Sequence, residues 1–153
     1  MNLQGSHRVP APRQQVWEAL NRADLLRRST PGCKRLVVNA GGSYDTELEV
    51  GVGAIKGRFS GTIEIQDRVP GSQYHLAVSA SGSAGFLKAE GVVDLLDEGG
   101  ATRIEYSGQA QVGGPIASVG QRMVDSVARR LVGQFFQSFE KVMLEDIPCD
   151  DGA

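Results

Sequence analysis

The sequence predicts an α+β domain in which a curved antiparallel sheet of about seven strands wraps around a long C-terminal helix, with two short helices after the first strand. Three observations predict it. A period-two alternation of side-chain character marks the first residues and recurs, interrupted by turns, from Lys34 to Val112. Apolar residues at steps of three and four then run from Ile116 to Val142. Between the first strand and the rest, two prolines open a stretch with helical spacing.

In the first strand, Leu3, Gly5, His7 and Val9 share one face, and Asn2, Gln4, Ser6 and Arg8 share the other. Pro10 and Pro12 stop it and start a helix with Val16, Trp17 and Leu20 as its apolar stripe. A second short helix is expected over Ala23 to Arg28, ending before Pro31 and Gly32. Leu36 to Asn39 form a strand, and Gly41-Gly42 a turn. Tyr44, Thr46, Leu48, Val50 and Val52 share a face of the next strand. The most regular alternation sets Ile55, Gly57, Phe59, Gly61, Ile63 and Ile65 against Lys56, Arg58, Ser60, Thr62, Glu64 and Gln66, which describes a strand with one wet face. After Pro70-Gly71, Tyr74, Leu76, Val78 and Ala80 make another strand; Leu87, Ala89, Gly91, Val93 and Leu95 continue the meander. Beyond the turn at residues 97–100, Thr102, Ile104, Tyr106, Gly108, Ala110 and Val112 complete it. Gly113-Gly114-Pro115 ends the sheet, and Pro115 is expected to begin the long helix, whose inner stripe includes Ile116, Val119, Gly120, Met123, Val127, Leu131, Phe135 and Phe139. Pro148 stops it. The chain therefore divides into one domain over residues 1–147 and a polar tail over 148–153.

Composition excludes several classes of function. At 153 residues, with 41% hydrophobic and 22% charged residues, the chain is one globular domain rather than two or a disordered segment. A net charge of -2 argues against a protein that neutralises phosphates, so no nucleic-acid partner is expected. The two cysteines, Cys33 and Cys149, show no metal-ligand spacing, and no metal site is expected. With no signal-peptide core and no apolar run of spanning length, the expected location is cytoplasmic. Glycine, at 20 residues, is close to twice its usual share of about 7%, so the backbone must bend or leave space often.

Groups fit for catalysis are scarce. His7 and His75 lie on strands without a base or ligand partner at close spacing, and each reads as an ordinary strand histidine. Glu47 and Glu49 fall on a solvent face, and Asp94, Asp97 and Glu98 flank a turn. The glycines at 51, 53 and 57 have the wrong spacing for a nucleotide loop and mark a strand junction or bulge. Arg27, Arg28, Lys34 and Arg35 bracket the Pro31-Gly32-Cys33 turn and read as solvated surface charge, with Cys33 a packed thiol. No catalytic residue is assigned.

The order of elements is that of the helix-grip domains of the START and birch-pollen-allergen superfamily. Within it, the segments LQGSHRVPAPRQQVWEAL, TPGCKRL, GVGAIKGRFSGTIEIQD and GGPIASVGQRMVDSVARRLVGQFFQSF resemble CoxG-like proteins, the G subunit of carbon monoxide dehydrogenase, over about residues 2 to 143. The resemblance implies an accessory role beside a molybdenum hydroxylase-type dehydrogenase, in membrane attachment or electron transfer to quinone. Relatives carry a C-terminal extension suited to anchoring; here the sequence ends at Ala153, so peripheral membrane contact at most is expected.

In such a fold the inward faces predict a cavity lined by Leu48, Val50, Phe59, Ile63, Leu76, Val78, Phe86, Ile104, Tyr106, Met123, Val127 and Leu131. Phe86 is out of step with Leu87, Ala89 and Gly91. Tyr74 and Tyr106, if inward, supply the isolated hydroxyls that orient a ligand in an apolar pocket. Inward Gly57, Gly61 and Gly120 have two readings, close packing of helix on sheet or room left for a ligand. The leading expectation is a non-catalytic domain for a quinone- or lipid-like ligand, with no tightly bound cofactor. Two rivals stand beside it. A polyketide cyclase or dehydratase-like enzyme requires an inward His-carboxylate or Arg-carboxylate pair, with Arg130 near the inner stripe. A protein-protein adaptor requires a filled core and an exposed apolar patch.

Overall fold

The computed structural model describes residues 1–52 and 55–146. The polar tail expected at 148–153, Cys149, and the Gly53 part of the glycine-rich junction lie outside the described residues. Strand β1 (Asn2–Val9) is followed by helices α1 (Arg13–Leu20) and α2 (Ala23–Ser29). Six strands follow: β2 (Cys33–Val38), β3 (Tyr44–Val52), β4 (Ile55–Val69), β5 (Gln73–Gly82), β6 (Gly85–Glu98) and β7 (Ala101–Gly113). A 3-10 turn (Pro115–Val119) then leads into the long helix α3 (Gln121–Asp146).

All seven strands join one antiparallel sheet in the order β1-β7-β6-β5-β4-β3-β2. Strands β2 to β7 form an uninterrupted meander, while β1 adds at the far edge against β7. The connection from β1 to β2 must therefore cross the full width of the sheet, and α1 and α2 are that crossing. Their local chemistry suits short helices. Pro12 precedes the first turn of α1, and Asn21 closes its end by donating from Nδ2 to the Trp17 carbonyl at 2.8 Å. In α2, Asp24 stands in the first turn and Arg27 and Arg28 in the last, matching the helix dipole. Ser29 and Thr30 return their hydroxyls to the carbonyls of Leu25 and Leu26 at 2.7 Å, and Pro31 prevents continuation.

Cross-strand partners share a face, so the pairings Leu3 with Gly108, His7 with Ile104, Leu76 with Gly91 and Ile63 with Val78 define the concave side. Curvature has a visible cause on that side. A Cβ placed on Gly61 or on Gly108 would run into the backbone of the neighbouring strand. Close strand approach, rather than vacated ligand space, accounts for these glycines. At the far end of β4 a bulge between Gln66 and Val69 places Asp67 at φ 51, and Arg68 within it donates from Nε to Asn21 Oδ1 just after α1 at 3.1 Å.

One expected boundary is corrected. The long helix starts at Gln121, and Pro115–Val119 is a separate 3-10 turn. Gly120 joins the two at φ 101, a conformation no helix interior adopts, so Gly120 is a joint and not part of the inner stripe.

The core divides in two. The larger part packs α1, α2 and the C-terminal half of α3 on the sheet through Val9, Val16, Leu20, Leu25, Leu95, Ile104, Phe136, Phe139 and Met143. Its one buried hydroxyl from β7 is satisfied: Thr102 donates to the Ala11 carbonyl at 2.7 Å. The smaller part, at the other end, gathers Val124 and Val127 of α3 around Ile55, with Val50, Val112, Ile116, Val119 and Leu131 packed against them.

Candidate functional site

Between the two packed ends lies the middle of the concave face. Leu48, Ile63 and Val78 project there from β3, β4 and β5, are half-buried, and join neither cluster. Aliphatic side chains on the inside of a sheet are normally shut away from water; these three keep partial exposure and belong to neither packed cluster. This stretch of apolar wall is the candidate site.

The structure distributes the twelve expected lining residues as follows. Leu48, Ile63 and Val78 line the open middle, with Phe59 buried beside Leu48 across the β3–β4 pairing. Leu76 and Tyr106 border it from the larger core, and Ile104 is sealed within that core at 0% exposure. Val50, Val127 and Leu131 belong to the smaller core. Phe86 and Met123 differ from the expectation, at 44% and 39% exposed. Phe86 pairs with Ser81 and Gly113, the register of the outer face, and its ring lies over Gly113, where there is no side chain to displace it. Met123 stands in the first turn of α3 and turns to solvent, while its neighbour Val124 takes the inward position in the smaller core.

Polar groups on the apolar wall are few. Tyr74 is buried at the α1 end, edge-on to Trp17, and its hydroxyl has no hydrogen-bond partner among the described residues. Burial raises its phenol well above the ordinary range, with the nearby Tyr44 adding to the effect. Tyr106 lies over Gly5, where any Cβ would meet its ring, and stacks on Phe136 at 4.9 Å between centroids.

The pair that sequence reading missed involves His7. Its Nε2 lies 2.7 Å from Oε1 of Glu140 on α3, and its ring also stacks on Phe136 at 5.9 Å between centroids. Both side chains keep partial access to water, at 24% and 32%. His7 is therefore neither unpartnered nor solvent-facing. Its inward position was legible in the alternation with Leu3, Gly5 and Val9. The partner, 133 positions away, carries no local signal; its only trace is that Glu140 follows Phe136 by one helical turn.

The remaining expected surface groups are ordinary. Glu47 and Glu49 are exposed and pair with Arg35 at 3.4 Å and Arg58 at 3.1 Å. Arg28 lies 3.5 Å from Asp24, and Arg130 is exposed rather than inward. Cys33 is half-buried with Sγ 3.3 Å from the Arg35 carbonyl, as a packed thiol. His75 meets Asp67 at 3.4 Å on the outer face. Among the described residues no cluster of His, Cys, Asp and Glu could hold a metal ion, and no helix is long and apolar enough to cross a membrane.

The seven-stranded sheet around one long helix, with an apolar concave wall, defines a START-like helix-grip domain. Solved structures share it: a START superfamily protein from Mycobacterium smegmatis superposes with TM-score 0.71 at 13% identity, covering 94% of this chain and 97% of that one. A protein from Thermus thermophilus gives 0.73 at 17%, covering 96% and 99%. A conserved protein from Geobacillus kaustophilus is nearer, with TM-score 0.91 at 34% identity over 95% and 96% of the two chains. The chain belongs to the CoxG family, that of the carbon monoxide dehydrogenase G subunit, whose model matches residues 5–143. No curated protein matches it.

Proposed function

We infer that this chain is a non-catalytic binding domain for a small hydrophobic molecule of quinone or lipid type, accessory to a molybdenum hydroxylase-type dehydrogenase on the cytoplasmic side. The observation that carries the reading is the half-buried apolar wall of Leu48, Ile63 and Val78 between two packed ends of one core. A domain evolved only for stability would close that space, since each buried methylene contributes about 0.8 kcal/mol. The family name supplies the dehydrogenase as partner class. The exposed apolar side chains Phe86 and Met123 stand at the end of the smaller core, beside Gly113 and Val124, which suits exchange of an apolar ligand with a membrane surface or a partner.

Native mass spectrometry on gently purified protein, followed by organic extraction, tests the reading. A stoichiometric neutral apolar species, or uptake of ubiquinone and menaquinone analogues by the apo protein, is the expected result. An apo mass unchanged by those analogues overturns the quinone form of the proposal.

One observation favours a second reading, an enzyme of the cyclase or dehydratase type: His7–Glu140 is the inward His-carboxylate pair such chemistry requires. Turnover separates the two readings, because a binding domain returns its ligand chemically unchanged.

A further inference from the structure

We propose that Tyr74 is the polar anchor of this site and that its hydroxyl donates to a carbonyl oxygen of the ligand. The inference rests on the binding-domain reading above and specifies which oxygen chemistry the site recognises.

Every other buried hydroxyl among the described residues has a protein acceptor. Ser29 donates to the Leu25 carbonyl, Thr46 to that of Arg35, Thr102 to that of Ala11, and Tyr44 to that of Asn21. Tyr74, at 6% exposure, has none among the described residues. A buried hydroxyl without an acceptor is destabilising, and phenylalanine would fill the same space without that cost. The phenol keeps its proton at neutral pH, because burial raises it above the ordinary tyrosine range. Tyr74 therefore offers a proton that no described protein group takes.

The sheet ties this donor to the apolar wall. Tyr74, Leu76 and Val78 are successive inward positions of β5, and Tyr44 pairs across with Ile63, which pairs in turn with Val78. The two tyrosines thus flank one end of the wall. Tyr44 and Arg68 both act on the Tyr74 phenol, and both also meet Asn21, at its carbonyl and at Oδ1. The surroundings of Tyr74 are not sealed. Leu76, its cross-strand neighbour Ile65, and Trp17, edge-on to Tyr74 at 5.8 Å, are each only partly buried. Leu76 and Ile65 continue the half-open surface of Ile63 and Val78 up to Tyr74. Among the described residues no cationic side chain is buried there, so the oxygen that suits this corner is neutral. A carbonyl accepts the proton without bringing a second donor that would itself need a partner; a hydroxyl brings one.

Two probes of nearly one shape test the proposal: 2-undecanone, and 2-methyl-1-undecene, in which a methylene replaces the carbonyl oxygen. Their affinities are read by displacement of the neutral apolar dye N-phenyl-1-naphthylamine at neutral pH. The wild type is expected to bind the two within about threefold, although the ketone gives up more hydration. Tyr74→Phe should weaken the ketone about tenfold relative to the alkene, a difference of about 1.4 kcal/mol. Alkene affinity should stay within about twofold, which also shows that the variant is folded. Tyr106→Phe should leave the ratio unchanged. If the Tyr74 variant does not fold, the infrared carbonyl stretch of 2-undecanone bound to the wild type decides, expected at lower wavenumber than in hexane. A wild type that favours the alkene more than about tenfold, a ratio that survives Tyr74→Phe, or a stretch at the hexane value overturns the anchor and leaves the apolar site standing. Failure of the dye and both probes to bind overturns both.

Discussion

Residues facing the concavity divide into those that hold the fold and those that wait for a ligand, and substitution should separate them. Ile104, fully enclosed, should lose about 3 kcal/mol of stability on replacement by alanine, through lost transfer energy and the cavity left behind. Leu48, half-buried already, should lose only about 1 kcal/mol on the same change while binding of an apolar probe weakens severalfold. Chemical denaturation and probe titration on the two variants check the contrast; equal stability losses would show the wall to be closed core. Tyr74 makes a second prediction through its proton. Because burial raises its phenol above the unfolded value near 10, the native state holds this proton longer than the unfolded chain. The stabilisation is full below that pH and declines as pH rises beyond it, by at most about 1.4 kcal/mol per unit. Tyr74→Phe should flatten this decline, measured as urea midpoints at pH 9 to 11.

At the scale of elements, two glycines of the last segment should respond in opposite directions to the same substitution. Gly120, at φ 101 between the 3-10 turn and α3, has open space around it, so Gly120→Ala meets backbone strain alone and should destabilise by about 1–2 kcal/mol. Gly133 lies within α3 with open space around it too, and Gly133→Ala should stabilise by about 1 kcal/mol. Thermal melts of the two variants decide this. The elements themselves were mostly legible in the sequence. Proline, turn glycines and period marked the strands and short helices, because each acts within a few residues. The start of α3 was not legible. An apolar period continues through Ile116 and Val119, and nothing in a side-chain pattern reveals that glycine at 120 turns the backbone to positive φ.

The whole molecule is held by two unequal cores, and they should open separately. Amide exchange is expected to be faster around Ile55, Val124 and Val127 than around Ile104, Phe136 and Phe139, since the smaller cluster has less buried surface to lose. A ligand seated between them would bridge both ends and raise protection at each, contributing about 2.7 kcal/mol at a concentration 100 times its Kd. Exchange rates with and without bound probe measure this, and protection confined to one end would place the ligand elsewhere.

The sequence by itself determined which segments become strands and helices, which face of each turns inward, and that the inner faces are apolar; these follow from local periodicity and backbone chemistry. It pointed to Leu48, Ile63 and Val78 as inward but could not say that they would stay half-open, because filling depends on which side chains of α3 arrive opposite them. It placed Phe86 wrongly because face assignment at a hairpin end depends on register, and the register sets Phe86 opposite Gly113. Only the closing of β1 against α3 brought His7 to Glu140 across 133 residues, and a contact made by folding has no signature in the local pattern of either strand or helix.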